Sequence, residues 1–204
     1  MAARTGFDVW AGASAAPAAE ALPIEDEDGP SDAALLDQVA GGDGRALGRL
    51  AERLGPMLYR VVHRLGLSDV EAEDSLQETL IRIWRASTGF RGRSSVSTWA
   101  CRIAINQALG TIRARRRSPA PVPAEAAPPA NPEACFESRR QAELVRRAVT
   151  SLPPPLRAVV VLREYEDLSY RSIAEILDIP IGTVMSRLHA ARRRLRAELG
   201  PVLD

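Results

Sequence analysis

Apolar residues recur every three or four positions through most of this chain, and strict alternation of apolar and polar residues is nearly missing. That periodicity gathers side chains on one face of a helix, so it predicts helices rather than strands. A short helix is predicted over 32–40, with Leu35, Leu36 and Val39 inward. Asp43 is placed to cap a longer one from Gly44 to about Leu65. Its inner face is Leu47, Leu50, Leu54, Leu58 and Val61, and Gly55-Pro56 is expected to kink it. A third helix runs from about Asp69 to Ala86, with an inner stripe of Leu76, Leu80, Ile83 and Trp84. A fourth runs from about Ser95 to Arg115, with Trp99, Ile103 and Leu109 toward the core and Thr98, Asn106 and Gln107 outside. Further helices are predicted from about Cys135 to Ser151 and from Pro154 to Glu164. Val145, Ala148, Val149, Leu152, Val159, Val160 and Leu162 can build a second small core there.

The segment 168–196 carries the most specific pattern. Ser169 is a good N-cap for a helix over 170–177, with Ile173, Ala174 and Leu177 buried. Asp178-Ile179-Pro180 breaks that helix, because a proline pushes its predecessor out of the helical region. A second helix restarts with Gly182 or Thr183 near its cap. Val184, Leu188, Ala191 and Leu195 form its inner face, and Met185, Ser186, His189 and Ala190 its outer face. This is the layout of a helix-turn-helix that places base-contacting side chains in a major groove. Arg187, Arg192, Arg193, Arg194 and Arg196 are placed for phosphates, which supply affinity and orientation.

Composition sharpens the picture in one respect. The net charge of +1 hides strong segregation: residues 1–30 hold six acids and one arginine, 67–85 five acids and two arginines, and 86–117 seven arginines and no acid. A basic stretch of that density suits nucleic acid despite the near-neutral total. The sequence reads as all-α, with two small helical domains. Residues 1–30 are expected to be a disordered acidic, Ala-rich tail, 31–117 a first domain, 118–133 a Pro-rich linker and 134–204 a second domain. The fifteen proline-rich residues 118–132, at about 3.1 Å each, span roughly 45 Å, on the order of 13 base pairs of duplex. Cys101 and Cys135 match no metal-ligand spacing and are expected to be idle thiols. There is no membrane-span pattern and no signal peptide, so a cytoplasmic location without membrane insertion is expected. Neither a nucleophile–base pair nor a phosphate loop nor a metal cluster is recognisable, so no catalytic residue, metal or cofactor is expected.

Two stretches of the first domain hold candidate chemistry. On the helix over 69–86, Asp74, Gln77 and Glu78 cluster on one face. After it, Thr88-Gly89-Phe90-Arg91-Gly92-Arg93-Ser94-Ser95 is a loop of glycines and arginines around one aromatic. It leads into a helix bearing Arg102, Asn106 and Arg113. Basic groups on a mobile polar loop suit melted DNA, whose bases can be turned out and stacked. Trp99 reads mainly as core, and Phe90 as either core or contact.

The run from Asp69 to Trp84, followed by Phe90 to Asn106, resembles region 2 of the extracytoplasmic-function sigma factors of bacterial RNA polymerase, in the sigma-70 family. Leu168 to Leu188 resembles their region 4. The resemblance covers about residues 31–199 in the family's order. It implies a transcription initiation factor that binds core polymerase and recognises −35 and −10 promoter elements while assisting melting. Core polymerase, through the clamp helices of the largest subunit and the flap of the second largest, would meet Asp74, Gln77, Glu78, Leu80 and Ile81. The −10 element would meet Phe90, Arg91, Arg93, Ser94, Arg102, Asn106 and Arg113. The −35 element would meet Thr183, Met185, Ser186, Arg187, His189, Ala190, Arg192 and Arg193. An anti-sigma factor is the further partner implied, with control in a stress or envelope response. The chain departs from the family at Met185, His189 and Ala190, where members often carry a basic or aromatic residue and Ala190 offers only a methyl contact, and in its longer acidic start. The rival reading is a repressor or activator using only the helix-turn-helix, which would need a ligand pocket or dimerisation helix in place of the acidic face and arginine loop.

Overall fold

Serine and aspartate caps set the helix starts. In a computed structural model, which describes residues 29–117 and 134–203, α1 (Asp32–Ala40) begins at Ser31, whose hydroxyl accepts from the Ala34 amide. Asp43 opens α2 (Gly44–Arg64) by accepting from Arg45 and Ala46. Ser68 and Glu71 form a reciprocal capping box at the start of α3 (Asp69–Ala86). A 3-10 turn (Ser87–Gly89) and a loop lead to α4 (Val96–Arg117), where Ser95 Oγ accepts from the Thr98 amide at 3.1 Å. The second half contains α5 (Ala134–Ser151), α6 (Pro154–Val160), a π-helical turn (Val161–Tyr165), α7 (Tyr170–Leu177) and α8 (Ile181–Leu203). Among the described residues there is no strand. The expected acidic tail and Pro-rich linker lie outside the described residues.

In the first half, α2, α3 and α4 pack on one another, and α1 lies against α2. Leu35, Leu50, Leu54, Leu58, Val61 and Ile105 are buried at its centre. In the second half α8 packs on α5, α6 and α7, burying Val184, Leu188, Ala191 and Leu195 as the heptad-like pattern predicts. Pro56 lies inside α2, which continues through it.

Four expectations about facing are corrected. The buried stripe of α3 is Ala72, Ser75, Thr79 and Ile83, with Leu76 and Leu80 half-buried beside it and Trp84 exposed. Thr79 turns its hydroxyl back to the Ser75 carbonyl at 2.7 Å, so a polar side chain sits inside without an unmet bond. The core face of α4 is Ala100, Cys101, Ala104, Ile105, Ala108 and Ile112, and Trp99, Ile103 and Leu109 flank it. Small residues there let α4 approach its neighbours closely. Thr98, expected outside, is buried and bonded to Ser95 Oγ at 2.9 Å. In α7 it is Ile176, not Leu177 or Ala174, that joins Ile173 in full burial. The last helix starts at Ile181, before Gly182 and Thr183, with the Pro180 carbonyl accepting from Thr183 at 2.8 Å.

The two halves are in contact. Buried residues of both form one continuous apolar cluster, α7 lies against α4, and the π-helical turn lies against α2. Polar groups line the seam. Glu166, whose side chain is 6% exposed, pairs with Arg64 at 2.8 Å and Arg60 at 3.2 Å. The Arg64 guanidinium lies 4.4 Å from the centre of the Tyr165 ring. Arg157, 5% exposed, donates to the Leu65 carbonyl at the end of α2 and also to the Thr150 and Leu152 carbonyls. A helix C-terminus leaves carbonyls without intrahelical donors and carries partial negative charge, which suits a buried cation.

Candidate nucleic-acid interface

The loop after α3 is held from its aromatic side. Phe90 is half-buried and packs on Trp99 of α4 with ring centroids 5.2 Å apart and planes at 57°. That tilted contact fixes the loop to the helix and leaves Arg91, Gly92 and Arg93 outside. Arg91 and Arg93 are exposed, Ser94 and Arg102 half-buried, and all four border a cleft of about 450 Å³ with Phe90 and Trp99. Glu175 and Asp178 of the second half also border it. The structure therefore gathers Phe90, Arg91, Arg93, Ser94 and Arg102 at one site. Asn106 and Arg113 are exposed further along α4, outside the cleft lining, and Arg113 Nε donates to the Leu109 carbonyl at 3.1 Å. Arg115 is committed elsewhere: it donates to Glu71 at 3.0 Å and to the Gly66 carbonyl at 3.1 Å, tying α4 to the α2–α3 turn.

The helix-turn-helix is closed by a left-handed residue. Asp178 has φ 52°, and its amide donates to the Ala174 carbonyl, ending α7 in one residue. Aspartate tolerates this region better than branched residues do. On α8 Met185, Ser186 and His189 are exposed, while Thr183, Arg187 and Ala190 are half-buried. Arg193, Arg194 and Arg196 are exposed. Arg192 is held by Glu164, which accepts from its Nη2 at 2.7 Å and its Nε at 3.1 Å. The adjacent carboxylate strengthens the proton affinity of the Arg192 guanidinium.

Sequence comparison settles the family. The family model for sigma-70 region 2 matches residues 50–118, and that for sigma-70 region 4 matches residues 142–195. The chain is 34% identical over 185 residues to the ECF RNA polymerase sigma-E factor of Escherichia coli (strain K12), covering 85% of this chain and 96% of that protein. It is 33% identical over 189 residues to the namesake of Haemophilus influenzae, covering 85% and 97%.

The chain belongs to the ECF sigma factors.

It is thus a transcription initiation factor of the promoter-directing kind. Among solved structures similar to this sigma factor, CnrH, in complex with the cytosolic domain of CnrY, has a TM-score of 0.65 and 25% identity, covering 84% of this chain and 99% of that one. The sigma factor RpoE of Bartonella quintana, in complex with the anti-sigma factor NepR, has a TM-score of 0.59 and 26% identity, covering 72% and 92%.

Against this family background the outer face of α3 gains definition. Asp74 and Gln77 are exposed, Glu78 and Leu80 half-buried, and Ile81 is 44% exposed. Glu78 pairs with Arg82 at 2.8 Å along the same helix. Val70 and Trp84, missed by sequence reasoning as surface residues, stand exposed on the same face. Spacings of four, three, four and three through Val70, Asp74, Gln77, Ile81 and Trp84 were the available signal, one helical stripe offset from the buried one. Ile181, 51% exposed one turn before Met185, was missed on α8 in the same way. No helix of the described residues is long and apolar enough to cross a membrane.

Proposed function

We propose that this sigma factor docks on the clamp helices of the polymerase's largest subunit through α3, with Asp74, Gln77, Glu78, Leu80 and Ile81 as contacts and the region-4 half toward the flap of the second-largest subunit. Exposed apolar groups ringed by carboxylates suit a basic helical partner with some apolar surface. The −10 strand enters at Phe90, Arg91, Arg93, Ser94 and Arg102, then follows Asn106 and Arg113 along α4. Guanidinium groups hold phosphates there, and the aromatic pair offers a face for an unstacked base. The −35 duplex takes α8 in its major groove. Met185, Ser186, His189 and Ala190 face bases, and Thr183, Arg187, Arg192 and Arg193 face the backbone. Regions 31–117 and 134–204 form the two functional halves, with 118–133 as linker.

The factor supplies binding and positioning, not catalysis, and works in the cytoplasm beside the polymerase. An anti-sigma factor is its third partner, as it is for the Bartonella quintana relative. The observation that carries this reading is the single cleft uniting Phe90, Trp99, Arg91, Arg93 and Arg102. Runoff transcription with purified core polymerase and a genomic promoter library tests it. The sigma factor should confer initiation at discrete sites; initiation no different from core alone rejects the reading.

A further inference from the structure

The first half of α8 is poor in the groups that grip guanine. Among the described residues five large apolar side chains stand exposed, and two of them, Ile181 at 51% and Met185 at 54%, share this helix. They lie one turn apart, and His189 continues the same strip a further turn on. Neither joins the core, although Val184 and Leu188 beside them are buried. Ser186, exposed next to Met185, directs its hydroxyl hydrogen to the Thr183 carbonyl at 3.1 Å. Arg187 is half-buried, and two residues past Met185 it is turned about 200° from it around the helix axis. Arg192, further along, is held by Glu164 at 2.7 Å. The strip therefore offers two apolar side chains and one imidazole. Gly182 is exposed between them, and a Cβ there would meet nothing within 4 Å, so no side chain separates the helix backbone from what it faces.

Major-groove chemistry decides what such a strip can read. Guanine is gripped through O6 and N7 by arginine or lysine, and adenine through N6 and N7 by asparagine or glutamine. None of these side chains stands on the strip between Ile181 and His189. Thymine alone among the four bases presents a methyl group in the groove, and an apolar side chain recognises it by removing both surfaces from water. We propose that Ile181 and Met185 form a thymine-methyl subsite, so that this sigma factor selects its upstream element at T·A positions by apolar contact and not by guanidinium contact. The subsite rests on the placement of α8 in the −35 major groove and adds Ile181 to its base-facing residues. Gly182 lets the helix backbone come close to the base edges. Arg193, Arg194 and Arg196, all exposed, follow on the same helix and supply the phosphate attraction that an apolar strip lacks. That basic continuation favours duplex DNA over a protein as the occupant.

Holoenzyme reconstituted from core polymerase and the full-length sigma factor first selects an upstream element from a promoter library randomised there. Binding to the selected promoter is then measured with thymine, or with deoxyuridine, which lacks only the methyl, in that element. Deoxyuridine should weaken binding about fourfold per contacted methyl, the effect of returning one methyl to water. Holoenzyme carrying Ile181→Ala/Met185→Ala should bind the two promoters equally. Both substitutions alter exposed side chains and leave the buried Val184, Leu188 and Ala191 in place. Met185→Arg, which carries a guanidinium to the same position, should move preference at one upstream position toward guanine. A selected element without thymine preference overturns the subsite, as does a deoxyuridine penalty that is absent from native holoenzyme or undiminished in Ile181→Ala/Met185→Ala. Unchanged upstream preference in Met185→Arg removes Met185 from the base edges and overturns it too. Reduced co-purification of Ile181→Ala/Met185→Ala with core polymerase, with the deoxyuridine penalty intact, would make the strip a protein contact instead. Failure of the underlying placement of α8 registers separately, as binding to the thymine promoter that Arg187→Ala/Arg193→Ala does not weaken.

Discussion

Gly66 and Arg157 meet across the two halves of the molecule: a methyl group on Gly66 would run into the Arg157 guanidinium. Gly66 also has φ of +92°, a backbone conformation that side-chain-bearing residues adopt at a cost. Gly42 has nearly the same φ, +94°, with open space around its missing Cβ. The pair separates backbone strain from the contact. Gly42→Ala should lower stability by about 1–3 kcal/mol through strain alone. Gly66→Ala should lower it further and enlarge the radius of gyration. Thermal melts and scattering on the two variants check this, and equal losses with equal radii would remove the contact from the account.

Docking on polymerase is tested on α3. Asp74→Arg/Gln77→Ala changes two exposed side chains and leaves the buried stripe of Ala72, Ser75, Thr79 and Ile83 alone. Helical circular dichroism should be unchanged while co-purification with core polymerase falls by at least about tenfold, the loss of roughly 1.4 kcal/mol expected when one charge in an interface is reversed. Retention at the native level would reassign the docking face.

Base reading by α8 should be separable from backbone contact. Met185→Ala and His189→Ala should change sequence preference at the upstream element and leave the downstream element untouched, as scored on a library randomised at both. Altered downstream preference would reverse the assignment of halves to elements.

The arginines of α8 should differ among themselves. Arg193 is exposed, and Arg193→Ala should weaken duplex binding at all sequences and flatten the log–log salt dependence by about 1. Arg192 is held by Glu164 at 2.7 Å, so its charge is partly neutralised before DNA arrives. Glu164→Gln should release it and tighten duplex binding, measurable by anisotropy at several salt concentrations. Weaker binding in that variant would mean that Glu164 serves to orient Arg192 for its phosphate.

Alkaline stability should depend on Cys101. Burial, and secondarily the Glu166 charge, push this thiol from 9.0 up to about 12. The native state therefore keeps its proton where the unfolded chain loses it, and stability falls as pH rises through that window. The slope contributed is about 1.4 kcal/mol per pH unit. Chemical denaturation of the native chain above pH 9 should steepen relative to Cys101→Ala. Parallel pH profiles would contradict it.

The helices themselves were written in local sequence. Asp43 and Ser169 announce two of their starts, and the α8 inner face of Val184, Leu188, Ala191 and Leu195 is legible from spacing alone. These features depend on neighbours within a turn or two, where hydrogen bonding and periodicity act directly. The candidate interface was legible by residue type, since an arginine loop around Phe90 stands out on any helical chain. Errors fell where a helix has several plausible faces. Trp84 was expected inside as part of an apolar stripe, yet Ser75 and Thr79 hold buried positions on α3, where Thr79 returns its hydroxyl bond to the backbone. Small residues such as Ala100 and Ala104 likewise displaced Trp99 from the centre of the core.

By itself, then, the sequence determined which segments are helical and which side chains are candidates for meeting polymerase and promoter. Only the tertiary structure decided that Arg157 ends on the Leu65 carbonyl that closes α2, that Glu166 sits between Arg60 and Arg64, and that Glu175 and Asp178 border the same cleft as the arginine loop. Arginines and carboxylates far apart in the chain have no pattern that names their partners. Their pairing follows from how helices pack, and packing is set by the shapes of buried side chains summed over the whole fold.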